Sequence, residues 1–135
     1  MSEKISTKFN ASILVVEDNF MNQELIKALL TKMDCDVDAA SDGEEALEMF
    51  QEAQYDIVFM DILMPKKDGY QVTREIREME SGQKRTPIVA VTANAMMGDQ
   101  EKCLAAGMDD YIAKPIRGEH LEVILSKHVP DLATN

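Results

Sequence analysis

Five polar side chains stand where short apolar runs end. Glu17 and Asp18 follow "ILVV", Asp61 follows "DIVFM", Thr92 follows "IVAV" and Lys114 follows "YIA". Three of the five are carboxylic acids, and three carboxylates brought together repel one another until a cation neutralises them. Hard oxygen donors with no histidine or thiolate among them favour Mg2+ over zinc. Mg2+ keeps several waters and is commonly shared with a phosphate. Lys114 would supply a compact positive charge for a phosphoryl oxygen, and Thr92 a hydroxyl that donates to the same group. A metal, a lysine and a hydroxyl around one carboxylate describe a site for phosphoryl transfer to Asp61, with an aspartyl phosphate as the product. The setting of Asp61 sharpens the point. It interrupts two apolar runs, "IVFM" and "ILM", and a carboxylate there is costly to bury unless something pairs with it.

These residues lie far apart along the chain, at spacings of 43 (18 to 61), 31 (61 to 92) and 22 (92 to 114). The fold must gather them. Apolar runs predict strands at 12–16, 56–60 and 88–92, a weaker one at 36–40 and a short one within "DDYIAKP". Between them apolar residues recur at helical spacing: Leu25, Ile26, Leu29, Leu30 and Met33, then Val72, Ile76 and Met79, then Leu121, Ile124 and Leu125. The stretch "SDGEEALEMF" opens another helix, with Ser41 or Asp42 as cap and Glu44 and Glu45 in the first turn, and a further short helix ends at Gly107. Five repetitions of strand then helix predict an α/β fold, a parallel sheet with helices on both faces. In such a sheet ligands bind at the C-terminal ends of the strands, near the point where strand order reverses. Asp61 would then emerge at the lip of a shallow pocket instead of lying in the core.

The 135 residues fit one domain. Residues 1–10 read as a loosely ordered extension, 11–130 as the domain and 131–135 as a tail. With 45% apolar and 29% charged residues the composition is that of a globular protein. No apolar run nears the roughly 20 residues of a membrane span, and "MSEKISTKFN" is no secretory signal, so a cytoplasmic protein is expected. The net charge of −11 (14 − 25) repels phosphate backbones and argues against nucleic-acid binding. Cys35 and Cys103 have no metal-type spacing and suit a reducing compartment. His120 and His128 read as surface histidines on the final helix, and the ten methionines as flexible core filler.

The segments "ILVVEDN", "DIVFMDILMPKKDG", "VTA" and "YIAKP" together resemble the receiver domains of two-component response regulators, from about Ser12 to Val129. Each is weak alone, and the four in this order and spacing are specific. The resemblance implies a flavodoxin-like, doubly wound (βα)5 fold with a five-stranded parallel sheet in the order 2-1-3-4-5. It implies that Asp61 is the phosphoacceptor, charged by a phosphohistidine of a sensor histidine kinase or a histidine phosphotransfer domain. Glu17 and Asp18 would hold Mg2+ with Asp61 and the Leu63 backbone carbonyl. Many relatives have Asp-Asp in place of Glu17-Asp18, a variation that should keep the metal. Thr92 would be the switch hydroxyl, Lys114 the phosphoryl contact, and Pro115 would follow it through a cis bond. Tyr111 falls at the aromatic switch position, turning inward when Thr92 is drawn to Asp61 in a shift between two existing states. Leu63 and Asn94 occupy the positions that tune hydrolysis, and Leu63, unable to orient a water, points to a long-lived phosphoryl state. Asn22 and Gln23 are frequent in receivers of hybrid kinases. The helix bearing them would dock a phosphotransfer domain through exposed Phe20 and Met21.

Other readings fit the same residues. Glu17 and Asp18 could cap a helix, Asp61 could form a structural ion pair with Lys114, Tyr111 could be core, and Asn22 and Gln23 could be plain surface. Among functions, a stand-alone receiver acting through a downstream protein is expected, favoured by the initial Met; a receiver excised from a hybrid sensor kinase is the alternative. A Mg2+-dependent phosphatase with Asp61 as nucleophile would want a second carboxylate where Leu63 stands. A flavin carrier would want a Ser-, Thr- or Gly-rich loop in place of "EDNFMNQ", and a phosphorylation-independent module would have lost Asp61 or Lys114.

Overall fold

In the computed structural model the described residues are 8–64, 67–80, 84–93 and 97–132, without the side chains of 97–99 and 131. Strands and helices alternate: β1 (Ser12–Val16), α1 (Phe20–Thr31), β2 (Asp36–Ala40), α2 (Gly43–Glu52), β3 (Ile57–Asp61), α3 (Gly69–Glu80), β4 (Ile88–Thr92), α4 (Met97–Ala106), β5 (Asp110–Ala113) and α5 (Gly118–His128), then a 3-10 turn (Pro130–Leu132). All strand pairs are parallel and the order is β2-β1-β3-β4-β5. This is the doubly wound, flavodoxin-like sheet expected from the sequence.

The strands sort their side chains by parity, because successive residues of a strand face opposite sides of the sheet. Ile13, Val15, Ile57, Phe59, Val89 and Val91 pack on one face with α1 and α5 (Ile26, Leu30, Leu121, Leu125). Leu14, Val16, Val58, Met60, Ile88 and Ala90 pack on the other with α2, α3 and α4 (Ala46, Val72, Ile76, Cys103). Both faces being covered, β3 and β4 are buried throughout, as parallel strands require. Edge strand β2 is half exposed, which is why its sequence gives the weaker signal.

Two boundaries differ from expectation. Phe9 is wholly buried among the α1/α5-side core residues, and its amide donates to the Met33 carbonyl at 2.8 Å. Lys8 to Asn10 therefore belong to the folded unit. At the other end Leu132 packs against the same core. An aromatic ring and a leucine near the ends of a chain seal the open bottom of an apolar layer, and no periodicity announces them.

The bottom of the sheet, opposite the strands' C-terminal ends, carries a polar clasp. Arg77 of α3 donates to the Gly107 carbonyl (2.9 Å), the Thr86 carbonyl (2.9 Å), Glu80 (2.8 Å) and Asp109 (2.7 Å). Asp109 also accepts from the Ile88 amide at 2.9 Å. One guanidinium thus ties α3 to β4 and to the α4–β5 turn, with each carboxylate it meets bonded elsewhere as well.

His128 departs from the surface reading. Its Nε2 lies 2.9 Å from Asp110 Oδ2 and the ring is largely covered, whereas His120 is exposed. Among the described residues no helix is long and apolar enough to cross a membrane.

Candidate functional site

The strand register fixes the site. Val16 pairs with Met60, Asp61 with Val91, and Thr92 with Ala113. The residues at or just past these pairs, Glu17, Asp61, Thr92 and Lys114, therefore meet at one edge, where the order turns between β1 and β3. The Lys114 amide donates to the Thr92 carbonyl at 2.8 Å, and the Ile62 amide to the Val91 carbonyl at 3.3 Å. The pairing thus runs on to Lys114. The Lys114–Pro115 peptide is cis, as expected.

A pocket of about 250 Å3 opens there, walled by Glu17, Asp18, Asp61, Leu63, Thr92 and Lys114. One oxygen each from Glu17, Asp18 and Asp61 lie within 4.8 Å of one another. Lys114 Nζ sits 3.4 Å from Glu17 Oε1 and 3.6 Å from Asp61 Oδ1. Asp18 is exposed, but Glu17 (1%) and Asp61 (4%) are not. The expectation for Asp61 is corrected in part. It stands at the pocket's lip and is also the last residue of β3, nearly out of reach of bulk water.

Burial has an electrostatic consequence. Desolvation, and next the neighbouring Glu17 carboxylate, push the Asp61 carboxyl up to about 6, while Lys114 and the Leu63 amide (3.4 Å) pull the other way. Among the described residues one ammonium faces two buried carboxylates, and Glu17 Oε1 accepts no hydrogen bond. The site is short of positive charge and of donors, which is what a hard divalent cation supplies. The oxygen donor set fits Mg2+.

The acid pair is held from below. Glu17 Oε2 accepts from the Asn19 amide (3.1 Å) and lies 3.5 Å from Asn22 Nδ2. Asn19, and neither Glu17 nor Asp18, caps α1 by accepting from the Asn22 amide at 3.0 Å. The capping alternative for the acids therefore fails. The α2 cap is Asp42, bonded to the Glu45 amide at 2.9 Å, with Glu45 reaching back to the Ser41 amide at 2.7 Å.

The remaining sequence candidates are placed as follows. Thr92 is buried on the pocket wall. Tyr111 is half-buried against the α2/α3/α4-side core, and Leu63 is 78% exposed. Asn94 lies outside the described residues. Phe20 and Met21 are 68% and 75% exposed. Gln23 is no surface residue, being buried on the inward stripe of α1 with Ile26 and Leu30.

Residue types alone did not single out Gly69 or Asn19. Gly69 closes the loop after β3, its amide donating to the Ile62 carbonyl at 2.9 Å. Asn19 carries a usable signal, an Asn directly before the helical period.

Comparison with known proteins is consistent with this geometry. Residues 13–126 match the response regulator receiver domain family. The chain is 46% identical over 123 residues to hybrid signal transduction histidine kinase I of Dictyostelium discoideum, covering 87% of this chain and 7% of that protein. It is 40% identical over 124 residues to the histidine-protein kinase BarA of Escherichia coli, covering 92% and 13%. The chain thus spans only a small part of these relatives. Among solved structures, the receiver domain of sensor histidine kinase PA1611 from Pseudomonas aeruginosa, with magnesium coordinated in its active site cleft, superposes with a TM-score of 0.80 at 43% identity. That match covers 90% of this chain and 98% of the other. The receiver domain of Saccharomyces cerevisiae Ssk1, co-crystallised with the histidine phosphotransfer protein Ypd1, gives 0.84 at 29% identity, with 93% and 91% covered.

Proposed function

The chain belongs to the response regulator receiver domain family of phosphorelay signalling, and on that premise we propose that Asp61 is its phosphoacceptor. The donor is a phosphohistidine of a sensor histidine kinase or a histidine phosphotransfer domain. An Asp61 carboxylate oxygen attacks phosphorus, the P–N bond breaks, and the imidazole leaves with the bonding pair and is protonated. Glu17, Asp18, Asp61 and the Leu63 carbonyl would hold Mg2+, which when bound neutralises the charge gathered on the transferring phosphoryl group. Lys114 Nζ takes a phosphoryl oxygen, as its reach to both Glu17 and Asp61 allows. The Thr92 hydroxyl donates to another oxygen, and in doing so moves toward Asp61. Tyr111 then turns further inward and the surface presented to a downstream protein changes, a population shift between two states.

The observation that carries this reading is the triad of acid oxygens within 4.8 Å beside Lys114. The phosphatase alternative is not favoured, because Leu63, two residues on, is an exposed aliphatic and no acid/base. The chain is on this reading a cytoplasmic signalling phosphoacceptor that assists its own phosphorylation and dephosphorylation. With Leu63 there, unable to orient an attacking water, the phosphoryl state is long-lived.

The phosphodonor's docking surface is the exposed strip Phe20, Met21 and Leu25 on α1. A groove of about 290 Å3 over Leu25, Ile26, Pro115 and Ile116 joins that strip to the reacting pocket at Glu17, Asn22 and Lys114. A helical phosphotransfer domain that lays apolar side chains in this groove brings its histidine to Asp61.

Incubation with acetyl phosphate and Mg2+, followed by intact-mass measurement, tests the reading. A gain of one phosphoryl group that disappears with EDTA and in Asp61→Ala supports it. No gain, or a gain that survives Asp61→Ala, overturns it.

A further inference from the structure

Gln23 is a buried polar residue to which the chemistry above gives no part. It is 7% exposed on the core side of α1, where an apolar residue would be ordinary. Its Nε2 donates to the Glu17 backbone carbonyl at 2.6 Å and lies 3.2 Å from Ser41 Oγ and 3.4 Å from the Ala40 carbonyl. A primary amide has two hydrogens to give. One is directed at the end of β1 and the other at the corner between β2 and α2. The Glu17 amide meanwhile donates to the Ala40 carbonyl at 3.0 Å. The main chain of Glu17 is therefore fixed on both sides, by β2 at its N–H and by Gln23 at its C=O.

That carbonyl begins the Glu17–Asp18 peptide, the unit that sends one acid inward and the next outward. Glu17 is 1% exposed and faces Lys114, while Asp18 is exposed on the rim. Rotation of this peptide would leave the Glu17 side chain, tied by Asn19, largely in place and would swing Asp18 away from Asp61. Groups that orient metal-binding side chains commonly matter to affinity nearly as much as the ligands do.

We propose that Gln23 is a positioning residue for the acid pair, holding the Glu17–Asp18 peptide at the rotation in which all three carboxylates face one Mg2+. The proposal rests on the reading of Glu17, Asp18 and Asp61 as that ion's ligands. It also makes the β2–α2 corner part of the metal site's frame, through Ser41 and Ala40.

The test separates positioning from simple satisfaction of a buried carbonyl. Mg2+ Kd is measured by NMR titration of backbone amides in the full chain, and Tm is measured in EDTA. The variants are Gln23→Met (same length, no donor), Gln23→Asn (donor withdrawn by one methylene) and Gln23→Lys (donor restored). Val129→Ala, a buried site at the far end of α5, serves as a control for lost stability. Kd should rise about tenfold in Gln23→Met and Gln23→Asn. It should return to within about threefold of the parent in Gln23→Lys and stay unchanged in Val129→Ala whatever its Tm. Should Gln23→Met not fold, Gln23→Asn decides. A Kd within about twofold of the parent in either Gln23→Met or Gln23→Asn overturns the proposal and leaves Gln23 a purely structural group. An unmodified chain that shows no saturable Mg2+ response overturns the metal reading and this inference with it.

Discussion

Gly69 lies directly behind Asp61. A Cβ placed on it would come 2.5 Å from the Asp61 carbonyl oxygen and 3.0 Å from Ile62 Cα, both main-chain atoms that cannot rotate away. The first residue of α3 is thus pressed against the strand end that carries Asp61, the proposed phosphoacceptor. Gly69→Ala should force β3 and α3 apart, costing about 1–3 kcal/mol as overpacking usually does. It should also slow phosphorylation by acetyl phosphate, because the Asp61 side chain moves with its backbone. Urea unfolding and a phosphorylation time course check both effects, and normal kinetics in a destabilised variant would show that the contact serves packing alone.

Asp61 should weaken the metal-free fold at neutral pH. Its carboxyl titrates at about 6 in the folded chain against 3.8 for the free group. The folded state therefore holds the proton more tightly. The stability this provides is complete below about pH 4 and is lost as pH rises through 6. At pH 7.5 the ionised form costs on the order of 3 kcal/mol, so Asp61→Asn should raise Tm in EDTA. The gain should shrink toward zero near pH 4 and also when Mg2+ is added to the parent, since the cation removes the same cost. Thermal melts across pH, with and without Mg2+, measure it.

Asp110 should act in the opposite sense. Burial raises its carboxyl, but hydrogen bonds from His128, the Tyr111 amide and Lys127 outweigh that and hold it below the ordinary value. A depressed carboxylate contributes stability above its unfolded pKa and loses it as pH falls through the folded one. Asp110→Asn should cost about 1–2 kcal/mol at pH 7. The difference from the parent should close in the acid range below about pH 4, as urea midpoints at several pH values would record.

Phe20 and Met21 together should discriminate donors. Both are exposed on α1 and neither touches the pocket. The double variant Phe20→Ala/Met21→Ala should accept phosphoryl from acetyl phosphate at the parent rate. From a phosphorylated histidine phosphotransfer domain it should do so at least about tenfold more slowly, a loss of roughly 1.4 kcal/mol of docking energy. Equal slowing with both donors would mean that the side chains shape the site itself.

Much of this was legible in the sequence because the fold writes itself in two periods. Buried parallel strands give continuous apolar runs and their helices give a 3.6-residue stripe, so β1, β3 and β4 were readable to within a residue. The five site residues followed from their place after those runs. What escaped has a common cause. Gln23 sits on the stripe of Ile26 and Leu30, where a polar residue can mean either a misjudged face or a buried donor, and only the position of the Glu17 carbonyl decides which. His128 meets Asp110, eighteen residues away. The depth of Asp61 depends on helices that close over β3 from both sides. Pairings of this kind belong to the tertiary arrangement and leave no local mark.

The burial of Phe9 bears on how short the molecule can be made. Cutting at Ser12, where the first strand begins, would strip out a ring that no water reaches and leave a pit lined by aliphatic side chains. Truncating such a phenylalanine costs about 3–5 kcal/mol, a large share of what a domain of this size possesses. A trimmed version beginning there should melt far earlier while every residue of the pocket remains in place, and would be mistaken for a protein with damaged chemistry.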